Sequence, residues 1–197
     1  MTKYCKQGGI VQLINDRISN GINRLQEAEV LRIFCDVCEA LVDCHANGII
    51  HRDLKIENIL IDESETSEAS RRNSNQTRTI NYVLCDFGSA TTQVYDRRSN
   101  QSQSVALVSD EINRYTTLSY RSPEMVDLYS NKPITTKSDI WALGCLLYKL
   151  CYFQMPFGES QLAIQEGRFT LPDSKANFYS KQVNMIISKS KLKRTNY

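Results

Sequence analysis

Three features that would assign the chain to a broad class of protein are missing from the sequence. No stretch approaches the roughly 20 consecutive apolar residues of a transmembrane helix, and the best candidate, residues 140–148, is followed by Lys149. The first residues contain no apolar signal-peptide core. The 24 Lys and Arg residues against 22 Asp and Glu residues leave a net charge of only +2, which gives no argument for a nucleic-acid partner. We therefore expect a soluble, cytoplasmic protein without a transmembrane segment.

The seven cysteines do not form a disulfide framework. Their number is odd, and they are scattered through apolar segments. Cys35 and Cys38, with Cys44 and His45 beyond them, invite comparison with a metal site. A structural zinc site needs a second pair of cysteines, which is missing here. We favour the alternative, in which these cysteines lie on an amphipathic helix as small apolar side chains.

Apolar periodicity predicts two helices in the first 50 residues. Residues 10–19 suggest a short helix after Gly8 and Gly9. A longer one follows and ends at Asn47-Gly48, since glycine suits the left-handed conformation after a helix. Its apolar stripe has the i, i+3, i+4, i+7 spacing and comprises Val30, Leu31, Phe34, Val37, Cys38, Leu41, Val42 and His45.

Three more helices are predicted in the second half. Ser138 is placed to cap a strongly apolar helix that continues through Tyr152. Because this segment is apolar on all sides, we expect protein to surround it. Residues 160–166 and 179–188 suggest two shorter helices.

Two polar stretches interrupt these elements. The residues from 62 to 81 have no apolar periodicity, which indicates a surface insertion between brief strands at 59–61 and 82–85. Residues 95–103 are predicted to form part of a long loop before Thr116. The basic end, 189–197, reads as a disordered, solvated tail rather than a nucleic-acid or membrane patch.

Two short motifs narrow the chemistry more than any other part of the chain. Residues 51–58 read His-Arg-Asp-Leu-Lys-Ile-Glu-Asn, and residues 86–88 read Asp-Phe-Gly. Each alone is weakly specific. Their order, with Ser-Pro-Glu at 122–124 and Asp-x-Trp-x-x-Gly at 139–144 behind them, is highly specific.

The residue types in these motifs suit phosphoryl transfer, which needs a positioned hydroxyl, a metal and cations near the transferred group. Asp53 is the candidate acceptor of the substrate hydroxyl's proton, and Lys55 is the cation for the transferred phosphate. Asn58 and Asp86 offer the hard oxygen ligands that Mg²⁺ prefers. Gly88 is expected to give the backbone freedom for the turn that presents Asp86.

With these motifs in place, the chain resembles the mainly helical C-terminal large lobe of a eukaryotic protein kinase, an α+β fold with a few short strands. More narrowly, it is similar to the Numb-associated kinases, the group that contains adaptor-associated kinase and cyclin-G-associated kinase. The resemblance covers roughly residues 3–180. It rests on runs at residues 33–36, 38–40, 82–90, 115–124, 139–153 and 156–160.

This resemblance implies a protein-serine/threonine kinase that uses ATP and Mg²⁺. It also implies a monomer that acts on protein substrates such as clathrin-adaptor subunits, in the cytoplasm and peripherally at endocytic membranes. Lys55 is the residue that such kinases carry. Thr117 matches the family threonine that hydrogen-bonds to the Asp and Lys of the catalytic loop, so that Asp53, Lys55 and Thr117 are its expected catalytic residues.

The resemblance further implies a nucleotide site. Residues 3–5 align with the hinge that grips adenine through backbone groups, which makes Tyr4 and Cys5 candidate cofactor contacts. Leu60 aligns with the apolar floor beneath the adenine ring. Asn58 and Asp86 complete the set as metal ligands.

Three other positions match structural parts of the family. His51 and Phe87 align with the lower half of a stacked hydrophobic column, which Asp139 anchors. Arg52 resembles the arginine that reads a phosphorylated activation segment.

The kinase pattern is incomplete at both ends. No Gly-x-Gly-x-x-Gly occurs, and no Val-Ala-x-Lys precedes the catalytic loop. Glu124 would pair in the family with an arginine beyond the end of this sequence. We therefore expect a truncated kinase domain over residues 1–188, comprising hinge and large lobe with the small lobe missing, and inactive on its own.

Two other functions compete with a kinase. The first is a non-catalytic, kinase-like scaffold or regulator that binds adaptor proteins. The second is a nucleic-acid or lipid binder that uses the basic tail. The intact set of Asp53, Lys55, Asn58 and Asp86 favours the kinase.

Overall fold

The computed structural model of the chain describes residues 8–65, 78–98, 104–172 and 178–190. These ranges contain helices and one two-stranded antiparallel sheet, which confirms the prediction of a mainly helical α+β fold. No helix in the described ranges combines the length and apolar character that crossing a membrane requires. The elements are α1 (Ile10–Ser19), α2 (Glu27–Ala46), β1 (Ile59–Glu65), β2 (Arg78–Leu84), α3 (Val105–Tyr115), α4 (Pro123–Val126), α5 (Lys137–Tyr152), α6 (Gln161–Glu166) and α7 (Lys181–Ser190).

Helix α5 forms the centre of the core and packs against α2 and α7. Twelve of its 16 residues are buried, so the prediction that protein surrounds this helix is confirmed. The predicted cap was wrong. The helix follows Thr136 and begins at Lys137, and the Ser138 hydroxyl instead donates a hydrogen bond to the carbonyl oxygen of Thr135 (2.7 Å).

Helix α2 connects α5 to the sheet. Three positions of the predicted stripe, Val30, Val37 and Leu41, are buried, and so is Ile33, which was not assigned to the stripe. The Asp36 carboxylate accepts a hydrogen bond from the backbone N–H of Tyr82 (2.9 Å), which ties β2 to this helix. Val42 is 66% exposed and was wrongly placed on the buried stripe.

The hairpin of β1 and β2 is longer than the sequence predicted. The strands pair from Ile59 opposite Leu84 to Glu65 opposite Arg78. The predicted polar insertion of residues 62–81 therefore lies in the sheet at both ends, and its residues 66–77 fall outside the described ranges. A strand ladder is made by backbone groups, so polar side chains beyond the buried end do not prevent pairing.

Helix α3 is a correction to the predicted loop before Thr116. Ile112 is its buried residue, and Val108 packs beside it against a small separate cluster containing Tyr95 and Ile134. With so little apolar surface buried, the helix has a weak signature in the sequence. The spacing from Val105 through Val108 to Ile112 is the one signal that could have revealed it.

The shorter helices agree with the predictions within two residues. Helix α1 has the predicted bounds. Helix α6 begins after Ser160, whose hydroxyl accepts a hydrogen bond from the N–H of Ala163. Helix α7 covers Lys181–Ser190 rather than 179–188. The isolated bridge from Ile50 to Thr91 replaces the first of the two brief strands expected around the 51–58 loop.

A buried tyrosine before α7 supplies a test of the core. Tyr179 is 3% exposed, and its hydroxyl lies 2.9 Å from the carbonyl oxygens of both Leu25 and Cys151. We expect Tyr179→Phe to lower the free energy of unfolding by about 1–3 kcal/mol, because two buried carbonyls lose their donor. Urea denaturation measures the change. Tyr129→Phe, at a position 71% exposed, is the control and should have no effect.

Candidate active site

The loop of residues 51–58 is held by one buried carboxylate. Asp139, in the first turn of α5, is 1% exposed. Its two oxygens accept hydrogen bonds from the backbone N–H groups of His51 (2.8 Å) and Arg52 (2.9 Å). The ring Nε2 of His45, on α2, donates to the same carboxylate at 2.9 Å. The start of the loop is therefore fixed to two core helices.

Within the loop, the Asp53 carboxylate is surrounded by three donors. The Thr117 hydroxyl donates to its Oδ1 at 2.7 Å, and the Lys55 Nζ lies 2.6 Å from its Oδ2. The Asn58 amide nitrogen is 3.3 Å from the same Oδ2 and donates to the Asp53 carbonyl oxygen at 2.8 Å. Lys55 also donates to the Thr117 hydroxyl at 3.2 Å. The structure thus brings the three predicted catalytic residues into contact.

The Asp-Phe-Gly motif is connected to this loop through the end of β2. Cys85 donates its backbone N–H to the carbonyl oxygen of Asn58 (2.9 Å), and its own carbonyl oxygen accepts from Nε2 of His51 at 3.2 Å. The next residue is Asp86. The backbone links therefore place the metal-ligand candidates Asn58 and Asp86 on adjoining segments.

The conformation at the motif differs from the expectation. The left-handed residue is Asp86 (φ 61°), whereas Gly88 has no positive φ. The Asp86 Oδ1 accepts a hydrogen bond from the Gly88 N–H at 3.2 Å. A Cβ atom at position 88 would lie 3.2 Å from that oxygen. Glycine here avoids crowding against the Asp86 carboxylate and does not serve for a positive φ.

The side-chain oxygens of Asn58 and Asp86 are of the type that binds a magnesium ion. The amide nitrogen of Asn58 is committed to Asp53, and its oxygen has no hydrogen-bond partner among the described residues. The Asp86 side chain is exposed. A carboxylate and an amide oxygen, completed by phosphate and water, are the ligand set that Mg²⁺ uses in such sites. These two residues could hold the ion.

The alternative zinc site has no support. The described part of the chain contains no group of three or more His, Cys, Asp or Glu side chains that could bind a metal. Burial, with Cys35 and Glu39 nearby, raises the pKa of the Cys38 thiol to about 11.

The predicted nucleotide contacts are described only in part. Leu60, on β1, is half-buried and forms an isolated bridge with Gly9. Its cross-strand partner is Val83, which is 38% exposed. This pair lies on the sheet face opposite the one that packs on α2. The hinge candidates Tyr4 and Cys5 lie outside the described residues.

The lower half of the stacked column is present. The His51 ring contacts the Phe87 ring edge to face, with centroids 4.9 Å apart. Phe87 is 47% exposed and His51 is fully buried. Glu124, which the family pattern assigns to a buried ion pair, is half-buried.

Two contacts of this region were missed by the sequence analysis. His45 was assigned only to the apolar stripe, although its ring binds Asp139. Glu111 was not singled out, and it forms an ion pair with Arg52. For His45, a polar residue within an apolar stripe was a usable signal.

The anchoring role of Asp139 is testable. We expect Asp139→Asn to lower the free energy of unfolding by about 3 kcal/mol, because an amide NH₂ cannot accept from the N–H groups that the carboxylate binds. Thermal and urea unfolding measure the effect. Asp43→Asn, at an exposed position of α2, is the matched control. Equal stability of the two variants would contradict the anchoring role.

Comparison with known proteins agrees with this geometry. The chain matches the family described as "Protein kinase domain" over residues 1–191. It is 47% identical over 174 residues to "Serine/threonine-protein kinase sel-5" of Caenorhabditis elegans, a match that covers 87% of this chain and 14% of that protein. It is 42% identical over 175 residues to "Actin-regulating kinase 1" of Saccharomyces cerevisiae, covering 87% of this chain and 24% of that protein.

A third relative is "Actin-regulating kinase PRK1" of the same yeast, 38% identical over 175 residues, with 87% of this chain and 19% of that protein covered. The chain thus spans less than a quarter of the length of these relatives. The matches nonetheless extend over most of its own residues, including both motifs. The chain belongs to the protein kinase domain family.

Proposed function

We propose that this domain transfers the γ-phosphate of ATP to serine or threonine hydroxyls of protein substrates. The observation that carries the proposal is the Asp53 carboxylate, oriented by Lys55, Asn58 and Thr117 next to the anchored start of the loop. A carboxylate so fixed is suited to accept the proton of an attacking hydroxyl. The name of the relative "Serine/threonine-protein kinase sel-5" supports the same reaction.

Each residue of the cluster has a role in this proposal. Asp53 orients the substrate hydroxyl and accepts its proton. Lys55 contacts Asp53 and Thr117, and its ammonium group is placed to stabilise negative charge on the transferred phosphate. Thr117 donates to Asp53 and accepts from Lys55, so its hydroxyl keeps the two side chains in register.

The nucleotide would be held by the oxygen ligands and the sheet. We infer that Asn58 and Asp86 hold Mg²⁺, while Leu60 forms the floor beneath adenine and Tyr4 and Cys5 contact its edge. When bound, Mg²⁺ and ATP supply the phosphoryl group and the charge neutralisation that transfer requires. The half-exposed face of the sheet around Leu60 supports this placement.

The substrates are proposed at a finer level from the relatives. Two of them are named actin-regulating kinases. We propose substrates among the proteins of endocytic sites, including clathrin-adaptor subunits, and a cytoplasmic location with peripheral attachment at those membranes.

The role of Asp53 is tested by Asp53→Asn in the full-length protein. We expect phosphoryl transfer to a Ser/Thr peptide library to fall by about 10²- to 10⁴-fold, because the amide cannot accept the proton. Binding of ATP with Mg²⁺ should remain, since Asp53 is not one of the proposed metal ligands. Radiolabelled phosphate transfer and calorimetric nucleotide binding are the two measurements.

Asp16→Asn, at an exposed position on α1, controls for the loss of one negative charge. Equal loss of transfer and nucleotide binding in Asp53→Asn would show that the residue is misassigned. A wild-type protein that binds adaptor proteins and transfers no phosphate would favour the non-catalytic scaffold.

Thr117 provides a second test with a built-in control. Thr117→Val keeps the shape of the side chain and removes its hydroxyl, so Asp53 and Lys55 lose their shared partner. We expect kcat to fall by about 10- to 100-fold with little change in KM for ATP. Thr117→Ser retains the hydroxyl and should restore most of kcat. Equal kcat values for the valine and serine variants would contradict a positioning role.

A further inference from the structure

The side chain of Arg121 closes the C-terminal end of α3, although Arg121 follows that helix in the chain. Its Nε donates a hydrogen bond to the Thr116 hydroxyl (2.7 Å), and its Nη1 donates to the side-chain oxygen of Asn113 (2.9 Å). Its Nη2 donates to the carbonyl oxygens of Ile112 (3.4 Å) and Thr116 (3.3 Å). One guanidinium group therefore binds three residues in and just after the last turn of α3.

Arg121 acts here as a helix cap and not as one half of an ion pair. Within the described ranges its acceptors are a hydroxyl, a side-chain amide oxygen and two carbonyl oxygens, none of which is charged. The last carbonyl groups of an α-helix lack partners within the helix, and a cation at this end also interacts favourably with the helix dipole. Burial lowers the pKa of the Arg121 guanidinium, as expected for a cation withdrawn from water. The hydrogen bonds offset that cost.

Thr116 connects this cap to the candidate active site. Its hydroxyl accepts from Arg121 and donates to the carbonyl oxygen of Ile112 at 2.6 Å, and its backbone N–H donates to the same carbonyl oxygen at 3.0 Å. These bonds fix both the side chain and the backbone of Thr116. The next residue is Thr117, whose hydroxyl donates to the Asp53 carboxylate at 2.7 Å.

The chain on the other side of Thr117 is fixed as well. The N–H of Tyr120 donates to the carbonyl oxygen of Thr117 (2.9 Å), and the N–H of Arg121 donates to that of Leu118 (3.1 Å). The backbone of Arg121 thus ends the turn that begins at Thr117, while its side chain holds the residue before Thr117. The place of the Thr117 hydroxyl beside Asp53 therefore depends on this one arginine at both ends of the segment.

We propose that Arg121 is a positioning residue, which keeps the Thr117 hydroxyl in register with Asp53 by capping α3. Within the described ranges Arg121 has no hydrogen bond to Asp53 or Lys55, so it acts on them through Thr116 and Thr117. This inference rests on the proposed phosphoryl transfer for its effect on rate. Its effect on the order of the segment does not depend on activity.

The first measurement is amide hydrogen exchange in the full-length protein. Arg121→Gln removes the charge and the forked set of donors, and Arg114→Gln makes the same charge change at an exposed position in the last turn of α3. We expect exchange of residues 113–120 to accelerate by about 10-fold in Arg121→Gln, and Arg114→Gln should match the wild type. Because both variants remove a cation at the same helix end, their difference separates the hydrogen bonds from the helix dipole.

The second measurement is kinetic. We expect Arg121→Gln to lower kcat by about 10- to 100-fold with KM for ATP nearly unchanged, because the Thr117 hydroxyl is misplaced while the nucleotide site is intact. The double variant Arg121→Gln/Thr117→Val should be no slower than Thr117→Val alone, since no hydroxyl is then left to position.

Thr116→Val tests the same connection without changing Arg121. It removes the hydroxyl that Arg121 binds and keeps the shape of the side chain, so we expect faster exchange of residues 113–120 and a lower kcat. Thr116→Ser keeps the hydroxyl and should restore most of both. This pair carries the test if Arg121→Gln does not fold.

Three results would overturn the inference: wild-type exchange in Arg121→Gln or in Thr116→Val, equal acceleration in Arg114→Gln, or losses of kcat that multiply in the double variant. An inactive wild type with faster exchange in Arg121→Gln and Thr116→Val would instead refute the proposed phosphoryl transfer alone and support the cap.

Discussion

The buried carboxylate of Asp139 is the constraint on which the rest of the site depends. It accepts hydrogen bonds from the consecutive backbone N–H groups of His51 and Arg52 and from the ring N–H of His45. A charged group at 1% exposure is tolerated only when donors surround it. Few conformations of the loop can supply both backbone donors at once, while the His45 ring on α2 supplies the third. The first turn of α5 therefore fixes where the loop begins and in which direction it continues.

From the anchored residues His51 and Arg52, a series of hydrogen bonds fixes the positions of the remaining residues of both motifs. Asp53 follows the fixed pair of residues and is held between Lys55 and Thr117. Asn58 is bound to Asp53 by its side chain and to Cys85 by its backbone, which brings the segment of Asp86 beside the loop. The apolar core supplies the rigid helices, and the site itself is assembled by polar contacts. The geometry of the site therefore depends on single polar side chains that are not part of the apolar core.

How far each element could be predicted depends on how much apolar surface it buries. Helices α2 and α5 bury much apolar surface. Their apolar residues were therefore easy to recognise in the sequence, and their predicted bounds were close to correct. Helix α3 has Ile112 as its buried residue and an ion pair from Glu111 to Arg52, and it was taken for a loop. The hairpin extends into polar sequence because its ladder is formed by backbone groups. Periodicity detects burial, and these two elements are held mostly by other interactions.

Motifs and apolar periodicity were enough to predict the family, the principal helices and the residue types of the candidate site: Asp53, Lys55, Asn58, Asp86 and Thr117. Motifs carry this information because phosphoryl transfer requires particular side chains at short spacings. The partners that those residues contact became known from the folded structure. It paired His45 with Asp139 and Arg52 with Glu111, and it placed the left-handed conformation at Asp86 rather than at Gly88. These contacts join segments that are far apart in the chain, and a local sequence pattern does not show which segments will pack together.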